Sequence, residues 1–202
     1  LYRHPIRGGD TKRLLAGVDS AVTFSPDGMQ IAFIREYPTQ GDRALIIANA
    51  DGTGERKLNS HKSPEFYSVD GPSWSPDGKW IAFSSDRGST LPFAHGRWEH
   101  LQIVDLYVVR ADGSGLKRIT QHGGFCGSPK WAQDSRHVIA YCMDAELTLN
   151  NRRAAPVPGS DTRLVAIDIT TGVASEVRAG PGVKFNPVYV GSTVAYIRKD
   201  QA

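Results

Sequence analysis

A chain of 202 residues, 40% hydrophobic and 22% charged, is long enough to bury a core of its own, and its composition is neither disordered nor collagen-like. Its 24 basic and 21 acidic residues leave a formal net charge of +3, and no basic run exceeds a pair such as Lys12-Arg13 or Arg152-Arg153, so no basic stripe exists for nucleic acid. No apolar run approaches the ~18 residues that a membrane-spanning helix needs.

The chain opens without an initiating Met or a leader pattern, as expected of a processed form or of part of a longer chain. Leu1-Tyr2-Arg3 and the Gly8-Gly9 turn read as a hairpin over 1–16. A second hairpin follows over 20–35, turning at Ser25-Pro26-Asp27-Gly28 and leading into Ile31-Ala32-Phe33. A third, 44–59, carries Leu45-Ile46-Ile47-Ala48 and the Ala50-Asp51-Gly52 turn. The pair then recurs. Ser75-Pro76-Asp77-Gly78 and Ile81-Ala82-Phe83 define 70–85, and Leu106-Tyr107-Val108-Val109 with Ala111-Asp112-Gly113 defines 104–120.

A third copy spans 128–143 and 163–178, with Asp134-Ser135 at the first turn, Ile139-Ala140-Tyr141 after it, and Leu164-Val165-Ala166-Ile167 beyond. The last hairpin, 185–198, ends in Val194-Ala195-Tyr196. The spacing of the Ile-Ala-Phe-like triplets is about 50 to 58 residues, and each period holds an inner and an outer hairpin, hence four short strands. No helical period competes anywhere. Proline pre-sets the first turn angle, Asp bonds back to its own turn, and Gly takes the positive-φ position. The expected fold is all-β: a β-propeller of four-stranded antiparallel blades, four repeats in a single domain or propeller segment over 1–202.

The strings Ser-Pro-Asp-Gly-x-x-Ile-Ala-Phe and Leu-Tyr-Val-Val-x-Ala-Asp-Gly-Ser-Gly-x-x-x-Arg-Ile-Thr resemble the TolB-type, WD40-like propeller repeat over nearly the whole chain. The first half, to about Phe83, is most similar to sensor propellers attached to bacterial Ser/Thr kinases. The resemblance implies a periplasmic or extracellular binding scaffold. It also brings two alternatives, an oligogalacturonate-lyase-like polysaccharide lyase and the propeller domain of a larger kinase or peptidase. Ring closure has three solutions by this count: 1–16 pairs with 185–198 within the chain, two copies pair as a homodimer, or further blades complete a larger ring.

Strand direction places the Asp-Gly turns on one face and the variable connectors, 84–103 and 143–162, on the other. Long loops in compact folds usually carry function. The expected ligand is a protein or a glycan on the connector face. The candidate ligand-binding residues are His95, Arg97, Trp98, Glu99 and His100 in the insert 84–103. Asp70, Phe125 and Lys184 join them at the mouth of the central channel. Aromatic and Arg side chains are the usual anchors of such a surface. His95 and His100 match no zinc spacing, so no metal and no cofactor are expected. No Gly-x-Ser-x-Gly elbow is present, and the chain reads as a non-enzyme. Cys126 and Cys142 fall nearly opposite on adjacent strands; a disulfide and two buried thiols both fit.

Overall fold

The computed structural model describes residues 1–62, 71–89, 103–121, 123–152 and 161–199. Among the described residues sixteen strands form three four-stranded antiparallel sheets and two two-stranded ones. The first short sheet is β1 (Tyr2–Arg3) with β2 (Lys12–Arg13). Blade one is β3 (Thr23–Phe24), β4 (Gln30–Tyr37), β5 (Asp42–Asn49) and β6 (Arg56–Lys62). Blade two is β7 (Ser73–Trp74), β8 (Trp80–Ser85), β9 (Asp105–Arg110) and β10 (Lys117–Arg118). Blade three is β11 (Phe125–Trp131), β12 (His137–Met143), β13 (Arg163–Asp168) and β14 (Ala174–Val177). The final pair is β15 (Val183–Val190) and β16 (Thr193–Lys199).

The core lies between blades. Along a strand the side chains alternate, so each blade has two apolar faces and buries each against a different neighbour. Ile31, Phe33 and Ile46 of blade one pack with Leu15 and Leu1 beside the β1–β2 hairpin. The opposite face of the same strands, Ala32, Leu45 and Ile47, packs with Trp74, Ile81, Phe83 and Val109 of blade two. Blade two then turns Ala82, Leu106 and Val108 toward Trp131, Val138 and Ile167 of blade three. Polar ties follow the same path. The Trp131 indole donates to the Ser73 carbonyl at 2.8 Å, and the Trp74 amide donates to the Thr23 hydroxyl at 3.1 Å.

The inner turns form as their sequence dictates. Asp27 Oδ1 accepts from the Ser25 hydroxyl at 2.6 Å and from the Met29 amide at 2.9 Å, while Gly28 takes φ 70°. Ser75, Asp77 and Gly78 repeat this, with Gly78 at φ 75°. In blade three Ser135 occupies that position at φ 55°, and its hydroxyl accepts from the Asp77 amide of blade two at 2.9 Å. A residue with a Cβ is thus kept at a glycine position where its side chain joins two blades.

Three expectations are corrected. Trp74 pairs with Ile81 and Trp131 with Val138, so the third copy of the triplet is Val138-Ile139-Ala140, one residue earlier than the motif suggested. The match of Ala140 to an Ala misled, because the Asp134 turn, not the small residue, sets the register. A helix, α1 (Ala145–Arg152), forms in the connector 143–162. Its apolar pattern is weak, and its start is made instead by Asp144, whose carboxylate accepts from the Leu147 amide at 2.8 Å. It lies outside every sheet. Finally, β1–β2 packs on blade one and does not pair with β15–β16, so among the described residues no sheet closes the chain into a ring.

Cys126 and Cys142 form a disulfide across β11 and β12, as one of the two readings allowed.

Two predictions follow from the turns. Gly78→Val places a β-branched residue at φ 75° and should lower unfolding stability by about 1–3 kcal/mol in denaturant titration, with no change in the connector face. In the folded chain the Ser25 hydroxyl and Met29 amide hold Asp27 below the usual carboxylate range, as the Ser114 hydroxyl and amide do Asp112 and the Arg136 guanidinium does Asp168. Depressed folded-state values mean stability that is complete above the unfolded value of about 4 and lost as pH falls through and below it. The denaturant midpoint should therefore drop between pH 5 and pH 2.5; a flat profile over that range contradicts the turn account.

Candidate functional site

Strands β12, β14 and β8 all run from the Asp-turn face to the connector face, and the chemistry gathers where they end. The root of the first long connector is built on aromatic rings. The Arg87 guanidinium lies 4.9 Å from the Tyr107 ring centre and 5.4 Å from that of Phe83, and these two rings stack at 5.9 Å. The Arg87 side chain also donates to Ser85 Oγ at 3.1 Å. Burial pulls the Arg87 guanidinium below its ordinary range and pushes the Tyr107 hydroxyl above its own. Beside them Asp105, fully buried, accepts from Arg118 at 2.5 Å and from the Thr120 hydroxyl at 2.8 Å. That ion pair, buried on its Asp105 side and half-buried on its Arg118 side, anchors the outer strand where the connector rejoins the sheet.

The second feature is a cavity of ≈ 660 Å³ at the connector end of blade three. Its wall comes from α1, the start of β13, the end of β14 and the loop that leads to β15. Carboxylates and cations share it: Asp144, Glu146, Asp161 and Glu176 against Arg163, Arg178 and Lys184. Lys184 is only 3% exposed, and its ammonium donates to the carbonyls of Thr162 and Gly182, both at 2.8 Å. The Thr162 hydroxyl bonds the Lys184 backbone in turn, and Asp161 accepts from the Gly182 amide at 2.5 Å. Lys184 therefore fastens the β15 loop to the start of β13 and forms the floor of the cavity. Glu176 and Arg178, by contrast, are exposed at its rim.

Of the sequence-derived candidates, Lys184 is placed in this cavity by its side chain rather than at an open channel mouth. Phe125 is 3% exposed, packed on Tyr141 at 5.7 Å between ring centres, and does the work of a core aromatic. Its position at the first residue of β11, opposite Met143, puts it inside the blade. Asp70, His95, Arg97, Trp98, Glu99 and His100 lie outside the described residues. Sequence reasoning missed Glu176 and Arg178, which sit at the end of the outer hairpin 163–178 and were not among the candidates. The cue was their opposite charge beside the glycine-rich turn 180–182. Among the described residues no cluster of three or more His, Cys, Asp or Glu side chains could hold a metal, and no helix is long and apolar enough to cross a membrane.

These sheets, stacked face to face and joined inner hairpin to outer hairpin, define a β-propeller. In fold they resemble the propellers of solved TolB structures. A TolB of Agrobacterium tumefaciens superposes with a TM-score of 0.62 at 23% identity, over 87% of this chain and 55% of that one. The nidogen/laminin complex also contains a similar fold, with a TM-score of 0.61 at 13% identity, over 98% of this chain and 63% of that one. In sequence, 76 residues are 32% identical to dipeptidyl-peptidase 5 of Porphyromonas gingivalis, covering 36% of this chain and 10% of that protein. The chain thus spans a tenth of that peptidase and about half of that TolB. No family model matches it.

Proposed function

We propose that this propeller is a non-enzymatic scaffold that binds a polypeptide partner on its connector face, in an oxidising compartment outside the cytoplasm. The observation that carries the reading is the ≈ 660 Å³ cavity, which is built from the connectors that differ between blades and carries both signs of charge at its wall. Repeated turns look alike from blade to blade, whereas a specific ligand needs the asymmetry that only the connectors supply. Mixed charges suit a peptide with Lys or Arg beside Asp or Glu, since each pairs with an opposite at the rim. Among the described residues that line the cavity the side chains are charged or aliphatic rather than aromatic, a lining that suits a polypeptide better than a sugar ring. The Cys126–Cys142 bond suits an oxidising compartment, where disulfides persist.

The test is a displayed peptide library panned against the chain, with a glycan array in parallel. Exchanging the rim charges, Glu176→Lys with Arg178→Glu, should weaken the selected peptide by about 30-fold, or about 2 kcal/mol, the scale of a hot-spot loss. Both side chains are exposed, so the thermal midpoint should hold. Glycan binding without peptide binding, or peptide binding that the exchange leaves intact, contradicts the proposal.

A second reading makes the chain the propeller of a larger peptidase, favoured by the 76 residues shared with dipeptidyl-peptidase 5. The native gene product should then run far above 22.0 kDa on an immunoblot.

A further inference from the structure

Of the charged side chains that line the blade-three cavity, six are exposed and one, Lys184, is buried. Thr162 beside it is 4% exposed. The Thr162 hydroxyl donates to the Lys184 carbonyl and accepts from the Lys184 amide, both at 2.5 Å, so the lysine backbone is clamped from two directions. Its ammonium is held as firmly, by the Thr162 and Gly182 carbonyls at 2.8 Å each.

Two carbonyls do not complete the bonding of that group. An ammonium carries three donors and a full positive charge. Among the described residues its third N–H meets no acceptor, and no carboxylate forms an ion pair with it. Two carboxylates of the lining are engaged elsewhere: Asp161 accepts from the Gly182 amide at 2.5 Å and Asp144 from the Leu147 amide at 2.8 Å. The other two, Glu146 and Glu176, are exposed. Burying a cation without a counter-charge is costly, and an apolar side chain of similar length would fill the same space without that cost. The third donor is left to whatever fills the cavity.

We infer, resting on the polypeptide reading of this face, that the cavity takes a carboxylate of that partner, which reaches the floor and meets the third donor of the Lys184 ammonium. Charge selects the class of ligand. The lining holds four carboxylates and three cations, so a dianion such as phosphate meets more repulsion there than a carboxylate does. Depth selects the orientation. With Lys184 buried and Glu146 and Glu176 exposed, an acidic group is favoured inside and basic groups are favoured at the mouth. A charge-assisted bond of this kind is about twice as strong as a neutral one. Because the lysine is already fixed, binding has no long side chain to order. A volume of ≈ 660 Å³ has room for the carboxylate and the residue that bears it. The carboxylate comes from the C-terminus of the peptide or from an Asp or Glu side chain; the chemistry is shared, and the test separates the two.

The test titrates the 202-residue wild-type chain, carrying isotope-labelled lysine, and follows the Lys184 ammonium resonance by NMR. The probes are N-acetylglycine for a C-terminal carboxylate and N-acetylaspartic acid α-amide for a side-chain one. Their neutral controls are N-acetylglycinamide and N-acetylasparagine amide. At least one acid should move the resonance saturably while its neutral control does not, and the acid that does so names the source. Lys184→Met keeps the length and removes the charge, and it should raise the Kd of that acid at least tenfold. The wild-type resonance decides the matter if that variant does not fold. No movement with either acid, equal movement with the neutral controls, or equal movement with sodium sulfate overturns the carboxylate site. A library peptide that binds as tightly with all its carboxylates amidated overturns the carboxylate site alone. Acids that bind while the library yields no peptide support that site and overturn the polypeptide reading alone.

Discussion

Everything in this molecule depends on the alternation of side chains along strands that are buried on both sides. A single sheet of four short strands cannot shield two apolar faces, so a blade is stable only between neighbours. Ile81 and Phe83 point back toward Ala32 and Ile47, while Ala82 points forward into the cluster that holds Val138. Each blade therefore contributes half of two cores and owns neither. The indole of Trp131 makes the dependence directional, since it fills the space beside blade two and spends its only donor on the Ser73 carbonyl there. The same constraint explains why Phe24 is exposed although it is an aromatic like its buried counterparts Trp74 and Trp131.

This arrangement was largely legible in the sequence, because its signals are local. Ser25-Pro26-Asp27-Gly28 sets a turn through bonds that reach no further than Gln30, and a string of such turns declares the hairpins. The disulfide was half legible: spacing put Cys126 opposite Cys142, but only the register settles that the two meet. The one-residue slip in blade three shows where the method weakens. Ile139-Ala140 looks like the earlier triplets, and only the pairing of Trp131 with Val138 reveals that the turn keeps the frame. Helix α1 escaped for a different reason. Its stability comes from the Asp144 cap and from Thr148, fully buried with its hydroxyl on the Asp144 carbonyl, and not from an apolar stripe.

The candidate site was less legible, since it is made by residues distant in sequence. Lys184 was singled out as a polar residue at a channel mouth, yet its ammonium is turned onto the Thr162 and Gly182 carbonyls, and no local pattern announces those partners. Phe125, expected at the channel mouth, is the first residue of β11 and belongs to the core. Division of labour follows from these placements. The turn face repeats because every blade needs the same geometry, and the connector face differs because nothing in the core constrains it.

The most direct test of shared cores is amide hydrogen exchange in a Trp74→Ala variant. Trp74 belongs to blade two but packs on Ala32, Leu45 and Ile47 of blade one. Loss of such a buried ring costs about 3–5 kcal/mol. If the interface is what stabilises the blades, exchange at Ile47 of blade one should quicken as much as exchange at Val109 of blade two. Faster exchange confined to blade two, with Ile47 as protected as in the wild type, would contradict the account.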